Sequence, residues 1–326
     1  MMGVLMSNAK FVYFGQVIVD YSLAIDSLPE RGGDIFASRS SINTGGGYNT
    51  LYAARKMGAR SQYAGALGEG PTADIARQAL DEIGVEVTGP RIPSRDTGIC
   101  IAMTEADGER TFVSTRGAET MLPHDAYEKC EVADDDVVYI CGYSFCHEDN
   151  TQAVDRFARA HAGREGFTLF DIGPMVADVS DESLEAVALL TPFWSINERE
   201  SGILCERFGL EQTDDFARRC QLLAHHLQTQ VLVRAGKRGA WYGDGRDSDS
   251  PDSVRIDTIP TPTVTPVDTN GAGDAHAGVL CAAMLEGMEM LDALKLANCA
   301  GALSTEHYGP ATCPDRERLE EVAAHL

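Results

Sequence analysis

The stretch that decides the fold is Asp268–Asp274, which reads DTNGAGD. An extended, Thr/Pro-rich segment over 256–267 precedes it, and an apolar helical run over 279–285 follows it. This order predicts an anion-binding site, because glycines expose backbone N–H groups and a helix start adds about half a positive charge. Asp274 would lie at that helix start, where its carboxylate can accept a proton from a substrate hydroxyl. The alternative is a glycine-rich turn in which Asp274 only caps the helix.

Upstream of this stretch, short apolar runs alternate with helical patterns. We predict strands at 137–141, 167–171, 193–196 and 230–234, and helices at 151–162, 181–190, 200–208 and 213–227. Such an alternation predicts an α/β fold with a doubly wound, mainly parallel sheet flanked by helices.

The first third of the chain has a different pattern. Strands at 21–28 and 35–42, and again at 98–104 and 109–115, flank turn-forming residues, among them Asp107-Gly108. They predict a small antiparallel β-sheet, inserted at about 20–43 and 97–116, that would cover a cleft or pair with a second subunit. With no long linker or internal repeat, we expect one domain over residues 1–326.

The composition limits the possible partners. The chain has 27 Lys+Arg against 50 Asp+Glu, a net charge of −23, which argues against nucleic acid and anionic membranes as partners. No apolar run is long enough for a membrane span, and no secretory signal is recognisable, so we expect a cytoplasmic protein. The 9 cysteines are scattered singly, which favours reduced thiols and no zinc site.

The chain resembles the ribokinase (PfkB) family of carbohydrate kinases. Asp268–Asp274 is similar to the family's D-T-x-G-A-G-D signature, and five further stretches match family motifs in the family's order. These are Asp20, Thr44–Asn49, Asn197–Glu200, Arg234–Gly239, and Ala297-Asn298 with Gly309. The resemblance implies a ribokinase-like fold with a lid and transfer of the γ-phosphoryl group of ATP to a hydroxyl of a small sugar. The chain looks most similar to a poorly characterised sugar-kinase branch.

The resemblance also implies site residues. Asp274 would be the general base, and the anion hole would be formed by Asn270, Gly271, Ala272 and Gly273. The substrate would contact Asp20, Gly45, Gly46, Asn49 and Tyr143. Mg²⁺ would be organised by Asn197 and Glu200 through water, and the nucleotide would be lined by Arg234, Gly236, Gly239 and Asn298. K⁺ would lie near Asp268, Asn270, Ser304, His307, Gly309 and Cys313.

Several residues depart from the family pattern and leave the substrate open. These are Ile18, Thr44, Glu119, Tyr143 and His276. A nucleoside kinase is one alternative, since Tyr143, Tyr48 or Phe112 could stack on a base. A sugar-phosphate kinase is another, with Arg31, Arg95 and Arg116 as candidate phosphate ligands. A binding protein with a relic site is the remaining one. The resemblance also predicts lid closure over the substrate and a homodimer formed through the lid.

Overall fold

A computed structural model describes residues 8–107 and 109–326. The start of the chain, on which the expectation of no secretory signal rests, and Gly108 of the predicted turn lie outside the described residues. The extent of the predicted domain, 1–326, stays a prediction.

The described residues form fifteen strands and nine α-helices. The strands are β1 (Phe11–Phe14), β2 (Val17–Ala24), β3 (Arg39–Gly46), β4 (Ser61–Tyr63), β5 (Leu67–Gly68), β6 (Glu86–Val87), β7 (Arg91–Ile92), β8 (Ile99–Thr104), β9 (Arg110–Ser114), β10 (Val137–Cys141), β11 (Thr168–Asp171), β12 (Phe193–Asn197), β13 (Gln230–Arg234), β14 (Ala240–Asp244) and β15 (Ile256–Ile259). The helices are α1 (Gly47–Lys56), α2 (Pro71–Glu82), α3 (Glu148–Ala160), α4 (Asp181–Ala188), α5 (Glu198–Arg207), α6 (Phe216–Leu227), α7 (Ala272–Leu285), α8 (Met290–Ser304) and α9 (Arg316–Ala323).

The main sheet has nine strands in the order β15-β14-β13-β12-β11-β10-β1-β4-β6. The neighbouring strands β13, β12, β11, β10, β1, β4 and β6 run parallel to one another. The strands β14 and β15 add an antiparallel edge. The predicted strands at 137–141, 167–171, 193–196 and 230–234 agree with β10 to β13 within one residue at each end. Strand order reverses between β1 and β10, so the crevice for a ligand is expected at the carboxyl ends of these strands. The predicted α/β fold class is confirmed.

Helices cover both faces of the main sheet and bury its apolar side chains. The helices α1, α2, α7, α8 and α9 pack on one face, and α3 to α6 pack on the other. The contact between α1 and α7 is especially close, because a Cβ atom at Gly278 would lie 2.2 Å from the carbonyl oxygen of Thr50. This close approach anchors α7, the helix that carries Asp274 in its first turn.

The small sheet consists of β2, β3, β8 and β9 in the order β3-β2-β8-β9. Its two hairpins are antiparallel, and a parallel pairing of β2 with β8 joins them. The first two strands were predicted about four residues too far into their connecting loop. Leu28 and Ile35 were counted as strand residues, but they are 41% and 43% exposed and belong to no strand. Asp20 consequently lies within β2.

Three predicted helix starts were wrong, and capping side chains explain two of them. Asn197 and Glu200 form a reciprocal capping box, so α5 begins at Glu198 and not at 200. The side chain of Asp215 accepts from the amides of the first helical turn, so α6 begins at Phe216 and not at 213. Helix α3 begins at Glu148, three residues before the predicted start. Within the described ranges, no helix has the length and apolar character needed to cross a membrane.

We predict opposite effects for alanine at two helical glycines. Gly278→Ala should lower the free energy of unfolding by about 1–3 kcal/mol, because the new methyl group collides with the backbone of α1. Gly202→Ala in α5 should raise it by about 0.5–1 kcal/mol, because its methyl group meets only Arg219 Nη1 at 3.6 Å. Urea denaturation of both variants measures the difference. An equal effect of the two substitutions would contradict the assigned α1–α7 contact.

Candidate active site

The candidate site lies at the carboxyl edge of the main sheet. Cys141, Asp171, Asn197 and Arg234 are the last residues of β10, β11, β12 and β13, which are adjacent parallel strands. The first turn of α7 brings Asp274 to the same edge. Polar residues from distant parts of the chain therefore converge where ligands bind in open α/β sheets.

Asp274 occupies the centre of this convergence. Its Oδ2 atom accepts a hydrogen bond of 2.9 Å from Nδ2 of Asn49 in α1. Burial, with a smaller contribution from the negative charges of Asp171 and Asp20, raises the pKa of Asp274 to about 6, whereas Asn49 and Arg234 oppose the shift. At neutral pH the carboxylate is ionised but has a higher proton affinity than an ordinary aspartate. These are the properties of a candidate general base.

The predicted anion hole lies at the start of α7. Gly271 adopts the left-handed conformation with φ 76°, and a Cβ atom there would lie 2.1 Å from the carbonyl oxygen of Pro310. The first α-helical hydrogen bond of this turn runs from the amide of Ala275 to the carbonyl oxygen of Gly271, which leaves the amides of Gly273 and Asp274 without an intrahelical acceptor. The amide of Ala272 donates to the carbonyl oxygen of Thr269 at 3.4 Å. The amide of Asn270 instead donates to Asp268 Oδ1 at 2.9 Å. The free amides of the first turn suit an anion.

The predicted substrate residues come from the small sheet and α1. Asp20 in β2 lies opposite Asn43 in β3, and burial raises the pKa of its carboxyl to about 6. A Cβ atom at Gly45 would lie 1.9 Å from Asp20 Oδ2, so only glycine leaves room for this carboxylate. Gly46 has φ 60°, which also favours glycine. Asn49 has a buried Oδ1 atom with no hydrogen-bond partner among the described residues, and it remains available to a ligand.

Tyr143 follows β10 and is 50% exposed. Partial burial, together with smaller contributions from the nearby thiols and Asp274, raises the pKa of its phenol to about 12. One of these thiols belongs to Cys100 in β8, which is paired with Asp20 in the small sheet. Tyr143 therefore lies between the body and the small sheet, where it can contact a ligand.

The side chains of Asn197 and Glu200 bind each other as well as backbone amides at the start of α5. The side-chain amide of Asn197 donates to Glu200 Oε1 at 2.6 Å, and the Asn197 backbone amide donates to Oε2 at 2.8 Å. Glu200 is buried, and burial together with the charge of Asp171 raises its pKa to about 7. The expected contact with a divalent cation would therefore add to an existing capping interaction.

Asp171 is a site residue that the sequence interpretation missed. Its Oδ2 atom lies 3.2 Å from Nη2 of Arg234, and burial raises the pKa of Asp171 while Arg234 opposes the rise. Its charge also raises the pKa values of Asp274 and Glu200. The available signal was its place as the carboxylate that ends the predicted strand at 167–171.

The residues predicted to line the nucleotide lie in three places. Arg234 lies in the centre of the carboxylate cluster, and its Nη1 atom would lie 3.0 Å from a Cβ atom at Gly273. Gly236 and Gly239 form the β13–β14 turn with φ 54° and 98°. Asn298 donates to the carbonyl oxygens of Ile259 and Pro260 at 3.2 and 3.1 Å, and so holds the end of β15.

Several of the positions predicted for a monovalent cation already make protein contacts. Asp268 pairs with Arg110 and also accepts from the amide of Gly309 at 3.1 Å. The carbonyl oxygen of Ser304 accepts the hydroxyl of Thr312 at 2.7 Å. His307 is exposed, Cys313 is buried, and burial raises the pKa of the Cys313 thiol to about 12. In the part of the chain that is described, no three His, Cys, Asp or Glu side chains cluster as metal ligands.

Comparison with known proteins identifies the family of this arrangement. The sequence pattern described as pfkB family carbohydrate kinase matches residues 8–317. The chain belongs to this family. The uncharacterized sugar kinase YegV of Escherichia coli (strain K12) is 29% identical to this pfkB family kinase over 317 residues, covering 97% of this chain and 94% of that protein. The ATP-dependent ribose-1-phosphate kinase of Halopiger xanaduensis is 28% identical over 317 residues, covering 96% of each chain.

Solved structures show the same fold. The structure of Arabidopsis thaliana ribokinase complexed with ribose and ATP superimposes on this kinase with a TM-score of 0.79 and 24% identity. The match covers 97% of this chain and 98% of that chain. The expected ribokinase-like fold and the expected carbohydrate-kinase family are therefore confirmed, and this pfkB family member is a kinase of the sugar or nucleoside type.

We predict that Asp274→Asn raises the free energy of unfolding near neutral pH by about 1–3 kcal/mol. Burial raises the carboxyl pKa from 3.8 to about 6, so the folded state binds a proton more tightly than the unfolded state does. The penalty for the ionised form is therefore present above about pH 6 and disappears as pH falls through this value toward 4. Urea denaturation near neutral pH and near pH 4 measures the effect. The matched variant Asp252→Asn changes an 84%-exposed carboxylate and should show no such pH-dependent gain.

Proposed function

We propose that this kinase transfers the γ-phosphoryl group of ATP to a hydroxyl of a small sugar, with Asp274 as general base. The observation that carries the proposal is the position of Asp274. Its carboxylate lies at a helix start with free amides, is oriented by Asn49, and has a pKa raised to about 6. A base and an anion site thus share one turn of α7.

The proposed proton transfer follows from the state of Asp274. At neutral pH the carboxylate is ionised and can take the proton of a hydroxyl held within hydrogen-bond reach. The hydrogen bond from Asn49 occupies Oδ2 and fixes the orientation of the carboxylate. Oδ1 is then the atom available to the substrate hydroxyl.

The proposed stabilisation of the transferring group comes from fixed charges and dipoles. The free amides of the first turn of α7 point toward an incoming anion, and the helix dipole favours negative charge there. Arg234 adds a guanidinium beside Gly273. Phosphoryl transfer depends mainly on such positioning and charge stabilisation.

Asp171 and Glu200 are the described carboxylates that suit a magnesium ion. Burial and, after it, the negative charge of Asp171 raise the pKa of Glu200, so added positive charge beside these carboxylates is favourable. Contact through water fits the existing hydrogen bonds of Glu200, since Mg²⁺ retains much of its hydration. When bound, Mg²⁺ supplies charge neutralisation for the phosphate oxygens.

We propose that hydrogen bonds hold the sugar that receives the phosphoryl group. The Asp20 carboxylate accepts from hydroxyls, and the buried, unpartnered Asn49 Oδ1 atom is a second acceptor. Burial of Asp20 makes its hydrogen bonds to a polyol worth more than they would be in water. These groups favour a compact polyhydroxylated substrate over a purely apolar one.

A sugar phosphate is the second candidate substrate. Arg95 donates to the carbonyl oxygen of Arg116 at 3.3 Å, which brings these two arginines together. The positive charge of Arg116 contributes to the lowered pKa of His147, near the segment that carries Tyr143. The relative from Halopiger xanaduensis is a ribose-1-phosphate kinase. The exposed rings of Tyr143 and Phe112 support a nucleoside less specifically.

An ADP-release screen with Mg-ATP over free sugars, nucleosides and sugar phosphates tests this proposal. We expect the strongest acceptor to be a free sugar, and Asp274→Asn to lower kcat by about 10²–10⁴-fold while Mg-ADP still binds. The exposed-site control Asp252→Asn should retain full activity. For the active protein, kcat/KM should fall as pH drops through about 6, because Asp274 and Asp20 both become protonated in this range. Undiminished turnover by Asp274→Asn would exclude its role as the base.

We also propose that two copies associate through the outer face of the small sheet. The register places Ile42, Tyr21, Ile101 and Val113 in one row, on the face opposite to Asp20. Ile42 and Val113 are each 53% exposed. Light scattering should give a dimer mass, and Val113→Asp should shift it toward the monomer, whereas Val87→Asp, at a 39%-exposed position in the main sheet, should not. A monomeric unaltered chain would contradict this interface.

A further inference from the structure

Arg110 joins the small sheet to the loop that precedes the anion site. It begins β9, and its Nη2 atom lies 2.5 Å from Asp268 Oδ1. The arginine and aspartate side chains are only 28% and 18% exposed. Asp268 also accepts from the amides of Asn270 and Gly309, so one carboxylate organises the anion loop and receives the guanidinium.

A second arginine of the same sheet row contacts the neighbouring loop. The register aligns Arg39 with Ala24, Ala24 with Thr104, and Thr104 with Arg110. The Arg39 guanidinium carbon lies 4.4 Å from the centre of the Tyr308 ring. Because Tyr308 precedes Gly309, whose amide binds Asp268, the row reaches the anion loop at two linked points.

The same contacts do not fit the monovalent cation that the family resemblance predicts. A cation at Asp268 would have to displace Arg110 or share a carboxylate that already accepts three donors. The Ser304 carbonyl oxygen is taken by Thr312. The positive charge at this position is therefore already supplied by the protein.

We propose that Arg110 is a positioning residue that replaces the monovalent cation at Asp268. This inference rests on the proposed anion hole and makes a statement beyond it. Nucleotide binding is independent of K⁺, and the neutralisation of Asp268 depends on the placement of the small sheet. Without Arg110, the Asp268 carboxylate would face the incoming phosphate groups uncompensated, since Asn270 lies only two residues away.

The charges of Arg110 and Asp268 determine how tightly their variants should bind a polyphosphate. Arg110→Gln leaves a negative charge beside the anion loop and should weaken binding. Asp268→Asn combined with Arg110→Gln removes both charges and should restore most of the affinity. Arg159→Gln is the matched control, because it breaks an exposed arginine–glutamate pair between α3 and α4 without touching the site.

Mg-ADP affinity, measured by calorimetry in KCl and in tetramethylammonium chloride, tests the inference. At about 0.1 M ionic strength, screening acts over about 10 Å and is equal for both salts. The unaltered chain and Arg159→Gln should bind equally, within about twofold, in both salts. Arg110→Gln should lose about tenfold in tetramethylammonium and regain part of this in K⁺, and the double variant should lie within about threefold of the unaltered chain.

Two results would overturn the inference alone. One is a K⁺-induced rise in affinity of about tenfold for the unaltered chain, and the other is unchanged binding by Arg110→Gln. Absence of Mg-ADP binding by the unaltered chain in either salt would instead refute the proposed nucleotide site, and the inference with it. Hydrogen exchange provides a check independent of affinity: amides of β8 and β9 should exchange faster in Arg110→Gln, while those of the main sheet remain protected.

Discussion

The desolvation of several carboxylates around one guanidinium is the constraint on which the rest of the site depends. The charge of Asp171 acts on both Glu200 and Asp274, all three carboxylates interact with Arg234, and burial raises the pKa of each carboxyl. Like charges in a poorly solvated place oppose folding, so the surrounding structure must hold them. The parallel strands do so, because Asp171 and Arg234 end strands of one sheet.

Holding these charges requires close approaches that only glycine permits. Gly45 leaves room for Asp20, and Gly271 leaves room for the Pro310 carbonyl group. Each glycine loses more conformational freedom on folding than a larger residue would. The α1–α7 contact at Gly278 offsets part of this cost by fixing the helix that carries Asp274. The packing that stabilises α7 therefore also keeps Asp274 buried, and this burial raises the proton affinity of its carboxylate.

The sequence predicted four of the nine strands of the main sheet, and these four for a physical reason. Strands buried on both faces are continuous apolar runs, and β10 to β13 stand out as such. The strands of the small sheet were placed less well, because Leu28 and Ile35 continue the apolar pattern into an exposed loop. Asp274 was found through its glycine-rich neighbours, which have a fixed spacing. Asp171 has no such neighbours and needed the strand order to be recognised.

Arg110 shows what local sequence patterns cannot reveal. It lies 158 residues from Asp268, and its ion pair exists only because the small sheet is positioned over the anion loop. A bound metal ion would neutralise Asp268 wherever the sheet lies, whereas a guanidinium carried by the sheet does so only when the sheet is in place. Asp20, which we propose to bind the substrate, lies on the same sheet. With the roles proposed for Asp20 and Arg110, substrate contact and charge neutralisation beside the proposed anion hole become one structural event, which ties the acceptance of phosphate charge to the presence of an acceptor beneath the sheet.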